Sequence, residues 1–320
     1  MAEVAVTAAL PGPALARLAQ EHTVRVRPPG PALTGPEVAV FAARADALIC
    51  LLADRVSSEV FADCPRLRVV ATYAVGVNNL DIEAARAAGV WVTNTPDVLT
   101  EATADLAWSL ILGVARRIVA GDRMVRAGEF AGWRPDLLLG AGLQGKTLGI
   151  VGFGRIGRAV ARRAWGFGMR VRTVLRRPLS ALEAGGVEAV ADLDELLAAS
   201  DVLTLHCPLT AETRHLIDAR RLALLPRGAI VVNTSRGEVV DEAALVAALE
   251  SGYLGGAGLD VYEREPIVHP GLLGRDDVVL LPHLGSATRE TRAVMAELVV
   301  DNVRAVLAGR TPPTPVVAGR

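Results

Sequence analysis

The stretch Thr147-Leu148-Gly149-Ile150-Val151-Gly152-Phe153-Gly154-Arg155-Ile156-Gly157 decides the fold. A short apolar run of strand length meets a G-x-G-x-x-G turn, and helical spacing starts at Arg155 and continues to Gly166. Alone, the glycine pattern is weak, because Gly-rich turns are common. Between a strand and a helix it is far more specific. Gly152 permits the tight turn, Gly154 lets the backbone approach a pyrophosphate, and Gly157 lets helix and strand pack closely. The helix start then offers unpaired N–H groups and its positive dipole end to an anion. The segment Gly152, Gly154, Arg155, Ile156 and Gly157 is therefore predicted to hold a dinucleotide.

Outward from this motif the same alternation repeats. Strands are predicted at 147–151, 170–174, 202–205, 229–233, 256–260 and 278–281, with helices beginning near Arg155, Asp192, Asp218 and Asp241. Six strands with intervening helices make a doubly wound dinucleotide-binding domain. Upstream, buried strands are predicted at 4–7, 24–27, 47–51, 69–71 and 90–92, alternating with helices at 13–21, 35–43, 57–63 and 80–88. This is a second α/β series. Between them, 100–127 reads as one long helix opened by Thr100 and stopped by Gly128, followed by a Gly- and Leu-rich loop at 130–143. A last helix, 289–308, ends at Gly309; its partner domain is not readable from the residues.

The bulk properties fit this reading. A chain of 320 residues exceeds one ordinary core, and 51% hydrophobic with 22% charged residues is a compact, folded composition. Net charge is −1 and no basic stripe with interleaved aromatics occurs, which argues against a nucleic-acid partner. The three cysteines, Cys50, Cys64 and Cys207, form no C-x-x-C pair, so neither a disulfide framework nor a metal site is expected. Glu3 stands where a signal peptide carries basic residues, and apolar runs such as 47–53 are too short to span a bilayer. The expectation is a cytoplasmic protein with no membrane partner.

A fold that binds NAD carries an acidic residue about 20 residues beyond the glycine turn, to accept from the ribose 2′-OH. Here the second strand ends at Leu175, followed by Arg176, Arg177 and Pro178. An acid would repel a 2′-phosphate, whereas guanidiniums hold it with charge-assisted forks. The expectation is NADP(H) preferred, with NAD(H) as the alternative.

Reduction of a 2-oxo acid needs a cation for the carboxylate and carbonyl, an acid for the developing alkoxide, and a group that keeps that acid charged. Arg236 follows the strand 229–233, Glu265 follows the strand ending at Asp260, and His283 follows the last strand. All three fall at strand carboxyl ends, where doubly wound sheets bind ligands. Singly, each has an ordinary reading as a solvated loop residue; the ordered set carries the argument.

At these residues the chain resembles the D-isomer-specific 2-hydroxyacid dehydrogenases over nearly its whole length. The resemblance is carried by Tyr73-Ala-Val-Gly-Val-Asn-Asn-Leu-Asp81, Thr100-Glu-Ala-Thr-Ala-Asp105 and Leu148-Gly-Ile-Val-Gly-Phe-Gly-Arg-Ile-Gly157. It continues in His206-Cys-Pro-Leu-Thr210, Asn233-Thr-Ser-Arg-Gly237, Gly258-Leu-Asp-Val261 with Glu265-Pro266, and Pro282-His-Leu-Gly-Ser-Ala287. Within the family it looks most like the glyoxylate/hydroxypyruvate reductases, through Leu51-Leu-Ala-Asp54, Asp97-Val-Leu-Thr-Glu-Ala-Thr103 and Gly132-Trp133-Arg134-Pro135.

The resemblance implies two doubly wound βαβ domains, a flavodoxin-like substrate domain (1–98 and 286–320) and a Rossmann domain (99–285). The active site lies between them, and a dimerisation arm spans about 100–143. It implies Arg236 on the substrate carboxylate and carbonyl, His283 as general acid/base, and Glu265 holding His283 protonated. Val75 and Gly76 amides and Ser286 would reach the substrate. Thr103, Cys207, Pro208, Thr213, Thr234, Ser235, Asp260, His283 and Gly285 would line the cofactor. Trp133 would close the pocket of a partner in a homodimer. Glyoxylate and hydroxypyruvate are the expected substrates. The alternatives are 3-phosphoglycerate or another D-2-hydroxy acid, formate or phosphite, or a non-catalytic dinucleotide-binding sensor of corepressor type.

Overall fold

The computed structural model describes residues 1–175 and 185–319. Arg176 and Arg177, on which the 2′-phosphate expectation rests, lie outside the described residues. The chain divides into two units, Met1–Leu99 with Ser286–Arg320, and Thr100–Gly285.

The first unit is built on β1 (Glu3–Val6), β2 (Thr23–Val26), β3 (Ala47–Cys50), β4 (Val69–Thr72) and β5 (Trp91–Thr93), with β13 (Pro315–Val317) from the chain end. Its sheet order is β13-β5-β4-β3-β1-β2, the flavodoxin-like order 2-1-3-4-5 with one strand added. Only β13 runs antiparallel, against β5. β1, β3 and β4 are apolar and almost wholly buried, as strands covered on both faces must be. β2 differs from expectation: it forms, but at the sheet edge and largely exposed, so the apolar residues of Val24–Arg27 do not mark a buried strand. The C-terminal helix Arg289–Leu307 lays Ala296, Val299, Val300, Val303 and Val306 on Val4, Val6, Ile49, Val69 and Ala71 of this sheet. That i, i+3, i+4, i+7 spacing is one apolar stripe of a helix.

The second unit carries β6 (Thr147–Val151), β7 (Arg170–Val174), β8 (Val187–Val190), β9 (Val202–Leu205), β10 (Ile230–Asn233), β11 (Gly256–Leu259) and β12 (Val278–Leu280). All pair in parallel, in the order β12-β11-β10-β9-β6-β7-β8. This is the doubly wound dinucleotide-binding order, with β8 and β12 at its edges. β8 is an addition to the six strands anticipated. Helices open at Leu193, Ala219 and Glu242, capped by Asp192, Asp218 and Asp241, whose carboxylates accept N–H bonds from Glu195, Arg221 and Ala244.

The long helix anticipated over 100–127 is two helices, Thr100–Ala115 and Ile118–Arg126. Arg117 stands between them in the left-handed region at φ +55°, which breaks the i→i−4 ladder. The first of the two packs Leu110 and Ile111 into the sheet, and Gly258 makes the room, since a Cβ there would press on Leu110. The second leaves Ile118, Val119 and Val125 exposed, and the following loop exposes Phe130, Trp133 and Leu139. Among the described residues, no helix is long and apolar enough to cross a membrane.

Candidate active site

Parallel register sets the site. Val151, Leu205, Asn233, Leu259 and Leu280 align across neighbouring strands as one row at the carboxyl edge of the second sheet. The ladder continues one step further: His206 N–H donates to the Val151 carbonyl (2.8 Å), Asp260 to Asn233 (3.0 Å), and Leu281 to Leu259 (2.8 Å). Gly152, His206, Thr234, Asp260 and Leu281 therefore open their loops side by side. β6 and β9 are also where the winding direction reverses, the place where open α/β sheets bind ligands.

The glycine turn has the shape its sequence requires. Gly152 has φ +95°, and a Cβ there would collide with the His206–Cys207 backbone. A Cβ on Gly157 would collide with the Gly152 carbonyl, whereas one on Gly154 would meet nothing within 4 Å. Gly154 is also the N-cap of the helix Arg155–Ala164, and as a glycine it brings no capping side chain of its own. Tight behind and open in front, at the start of a helix, this cradle fits a pyrophosphate.

The loop after β10 is held by Asn233, which is 1% exposed. Its Oδ1 accepts from Ser235 N (3.0 Å) and Oγ (2.9 Å), and its Nδ2 donates to the Arg236 carbonyl (2.9 Å). Arg236 Nη1 donates to the Ser235 carbonyl (2.7 Å). Burial pushes the Arg236 guanidinium below its ordinary range, while Glu265 and Glu238 act through space to hold its proton. Gly237 lies so close to the Tyr262–Glu263 backbone that any Cβ would overlap it. That contact brings the loop of Arg236 onto the loop of Glu265.

Glu265 Oε1 accepts from Tyr262 N (3.1 Å), and Oε2 lies 2.9 Å from His283 Nδ1. Burial pushes the Glu265 carboxyl up, but the hydrogen bond and charge of His283 outweigh it, and the net shift is downward. With Nδ1 committed to a carboxylate, Nε2 is the ring nitrogen left for other chemistry. His283 has left-handed backbone (φ +56°), uncommon for a non-glycine residue. Asp260 accounts for it: its carbonyl accepts His283 N–H (2.9 Å), and its carboxylate accepts Leu284 N–H (2.6 Å) and Gly285 N–H (2.8 Å). Thr103 Oγ1 closes the turn by donating to the Gly285 carbonyl (3.0 Å). Burial raises the Asp260 carboxyl against the pull of those amides and of His283.

Arg236, Glu265, His283 and Asp260 thus occupy interlocked loops of one sheet edge. Cys207 is buried behind the glycine turn. Thr213 turns its hydroxyl inward to the Pro208 carbonyl (2.7 Å), closing the loop after β9. Val75 and Gly76 follow β4 in the first unit, where the Val75 carbonyl accepts from Asn94 Nδ2 (2.7 Å). Ser286 begins the second segment of that unit. Trp133 is 82% exposed. The sequence reading does not include Asn233 and Asp260 as loop anchors; the signal available was a buried polar residue where an apolar strand finishes, Asn233 as the last residue of β10 and Asp260 directly after β11.

Residues 108–285 match the family described as D-isomer specific 2-hydroxyacid dehydrogenase, NAD binding domain. The chain belongs to the D-isomer-specific 2-hydroxyacid dehydrogenases. As a 2-hydroxyacid dehydrogenase it is 53% identical to the glyoxylate reductase of Thermococcus litoralis over 273 residues, which cover 84% of this chain and 82% of the relative. A crystal structure of a Thermus thermophilus protein matches with 48% identity and a TM-score of 0.93, covering 98% of this chain and all of that one. The NADPH-dependent glyoxylate/hydroxypyruvate reductase of Sinorhizobium meliloti, solved with NADP and malonate, matches at 34% identity and TM-score 0.89, covering 100% and 98%. This dehydrogenase therefore carries its family's oxidoreductase scaffold and nicotinamide-dinucleotide-binding domain.

Proposed function

We propose that the chain is an NADPH-preferring reductase of small 2-oxo acids, converting glyoxylate to glycolate and hydroxypyruvate to D-glycerate. The observation that carries this reading is the 2.9 Å pair of His283 Nδ1 with Glu265 Oε2, in a loop interlocked with that of the half-buried Arg236. Relatives named glyoxylate reductase support the substrate class. The dinucleotide would be held by Gly152, Gly154, Arg155, Ile156 and Gly157 at the helix start, with Thr103, Cys207, Pro208, Thr213, Thr234, Ser235, Asp260 and Gly285 around it. When bound, the reduced nicotinamide supplies a hydride to C2 of the substrate.

In this reading Arg236 forks onto the substrate carboxylate and polarises the carbonyl, and its partial desolvation strengthens both interactions. The Val75 and Gly76 amides take the other side of the carboxylate, and Ser286 reaches the same molecule. His283 delivers a proton from Nε2 to the oxygen on C2. Glu265 fixes the ring's orientation and tautomer through Nδ1 and balances the imidazolium charge. The enzyme is taken as cytoplasmic and dimeric: Phe130, Trp133 and Leu139 make an exposed apolar surface suited to a second copy, with Trp133 closing the partner's pocket.

The NADPH preference rests on Leu175 standing where an acid would accept the ribose hydroxyl, and on Arg176 and Arg177 after it. The test is a spectrophotometric panel of glyoxylate, hydroxypyruvate, phosphohydroxypyruvate and pyruvate with NADPH and NADH. Turnover of the first two with a higher kcat/KM for NADPH is expected, and Leu175→Asp should move the preference toward NADH. Equal kcat/KM for the two cofactors would remove the preference. A best substrate bearing phosphate would move the assignment to a phosphoglycerate-type enzyme. Dinucleotide binding without turnover would make the chain a sensor.

A further inference from the structure

The loop of Arg236 is tied to the glycine turn by a side chain that none of the roles above uses. His206 follows β9, the strand between β6 and β10, so its backbone abuts both loops. On one side its N–H bonds the Val151 carbonyl, and Gly152 packs against the His206–Cys207 peptide. On the other, its Nδ1 lies 3.3 Å from Thr234 Oγ1, two residues before Arg236. Its Nε2 lies 2.9 Å from Thr204 Oγ1, and Thr204 is fully buried in β9.

We propose that His206 is a positioning residue: its imidazole, bridging Thr204 and Thr234, holds the Thr234–Arg236 loop in register with the glycine turn and so aims Arg236 at the substrate carboxylate. The inference rests on the substrate reading above. Both ring nitrogens face hydroxyls, which can donate or accept, so one neutral tautomer satisfies both bonds. Burial pushes the imidazole pKa down to about 3, which keeps the ring neutral at working pH. A charged ring here would repel the guanidinium it serves to place. A neutral histidine with both nitrogens engaged is a rigid spacer of fixed length; Asn233 fixes the loop from beneath and His206 fixes it from the side.

The test uses the full-length protein, first shown to reduce glyoxylate with NADPH; absence of that activity sinks the substrate reading and leaves the loop geometry to be judged by inhibitor binding. Thr234→Val, Thr234→Ser, His206→Gln and the double variant His206→Gln/Thr234→Val are compared. Readouts are KM for glyoxylate, the inhibition constant of oxalate, the Kd of NADPH by fluorescence, and Tm. Loss of one hydrogen bond of ordinary strength corresponds to about a three- to tenfold change. Thr234→Val and His206→Gln should each raise KM and the oxalate constant by about that factor; for His206→Gln, whose side chain is assigned no contact with the dinucleotide, the Kd of NADPH should stay within about twofold of the parent. Thr234→Ser, which keeps the hydroxyl, should restore the parent values. The double variant should be no worse than the poorer single, because both remove the same bond. Additive losses, no rescue by serine, or a defect confined to NADPH binding would overturn the proposal. Should His206→Gln fail to fold, the valine and serine variants still decide, since the first loses the hydroxyl at issue and the second keeps it.

Discussion

At the level of single residues, side chains act through what their neighbours leave free. His283 gives one ring nitrogen to Glu265, and its backbone is bent into the left-handed region by amides that Asp260 accepts. If Nε2 is the proton donor, His283→Ala should lower kcat by about 10²–10⁴ while the Kd of NADPH stays near the parent value. Stopped-flow turnover with fluorescence titration checks this, and activity within a few-fold of the parent sinks the assignment. Glu242 makes a different point. It is 6% exposed, and its Oε1 accepts from Glu263 N–H (2.8 Å). Burial, reinforced by the Glu263 carboxylate, pushes its carboxyl above the ordinary value of 4.5 despite that amide. The folded chain therefore binds more protons than the unfolded one between 4.5 and the raised value, so this group's contribution to stability falls as pH rises through that window. Glu242→Gln keeps an acceptor for Glu263 N–H and removes the charge. Urea midpoints measured from pH 4.5 to 7 should fall less steeply for the variant; an unchanged slope contradicts the sign argued here.

At the level of elements, glycines decide how closely the pieces approach. Gly258 lets the helix Thr100–Ala115 lie on β11, and Gly237 lets the Arg236 loop lie on the Glu265 loop. Leu110 is fully buried at the first of these contacts. Leu110→Ala leaves a cavity against a rigid sheet, and a loss of about 2–5 kcal/mol is expected. Chemical denaturation followed by circular dichroism measures it, and a loss below about 1 kcal/mol would mean that the helix settles to refill the space. The neighbouring break at Arg117 divides a stretch whose sequence favours one helix. Apolar spacing and good helix formers run on past residue 115, and propensity contains no instruction to stop. The interruption comes from the left-handed residue, with Gly140 and Ala141 folded back on the Ala115 carbonyl, Ala141 N–H bonding it at 2.8 Å.

At the scale of the whole molecule, the segment 118–139 exposes several large apolar side chains, Ile118, Val125, Phe130, Trp133 and Leu139. A contiguous exposed apolar patch marks an interaction site when it exceeds a few hundred Å². If a second copy covers it, Trp133→Ala combined with Leu139→Asp should shift the sedimentation mass from dimer toward monomer. A parent that already sediments as a monomer removes the dimer from the proposed function. Ligand linkage operates at the same scale. NADPH at 100 times its Kd should raise the stability of the folded state it binds by about 2.7 kcal/mol, visible as a rise in Tm.

Read alone, the residues identify two α/β series, most strand positions and the loops bearing Arg236, Glu265 and His283. Apolar runs bounded by glycine are local, and parallel strands buried on both faces must be apolar throughout. Long-range pairing was not legible. β8 is a four-residue, half-exposed strand, β13 emerges from a Pro-rich tail to pair antiparallel with β5, and β2 is an exposed edge. The bonds from Asp260 to the His283 turn and from His206 to Thr234 span 24 and 28 residues. Sequence could name the chemical groups because composition and spacing are properties of the chain; only register and packing could bring those groups within hydrogen-bonding distance.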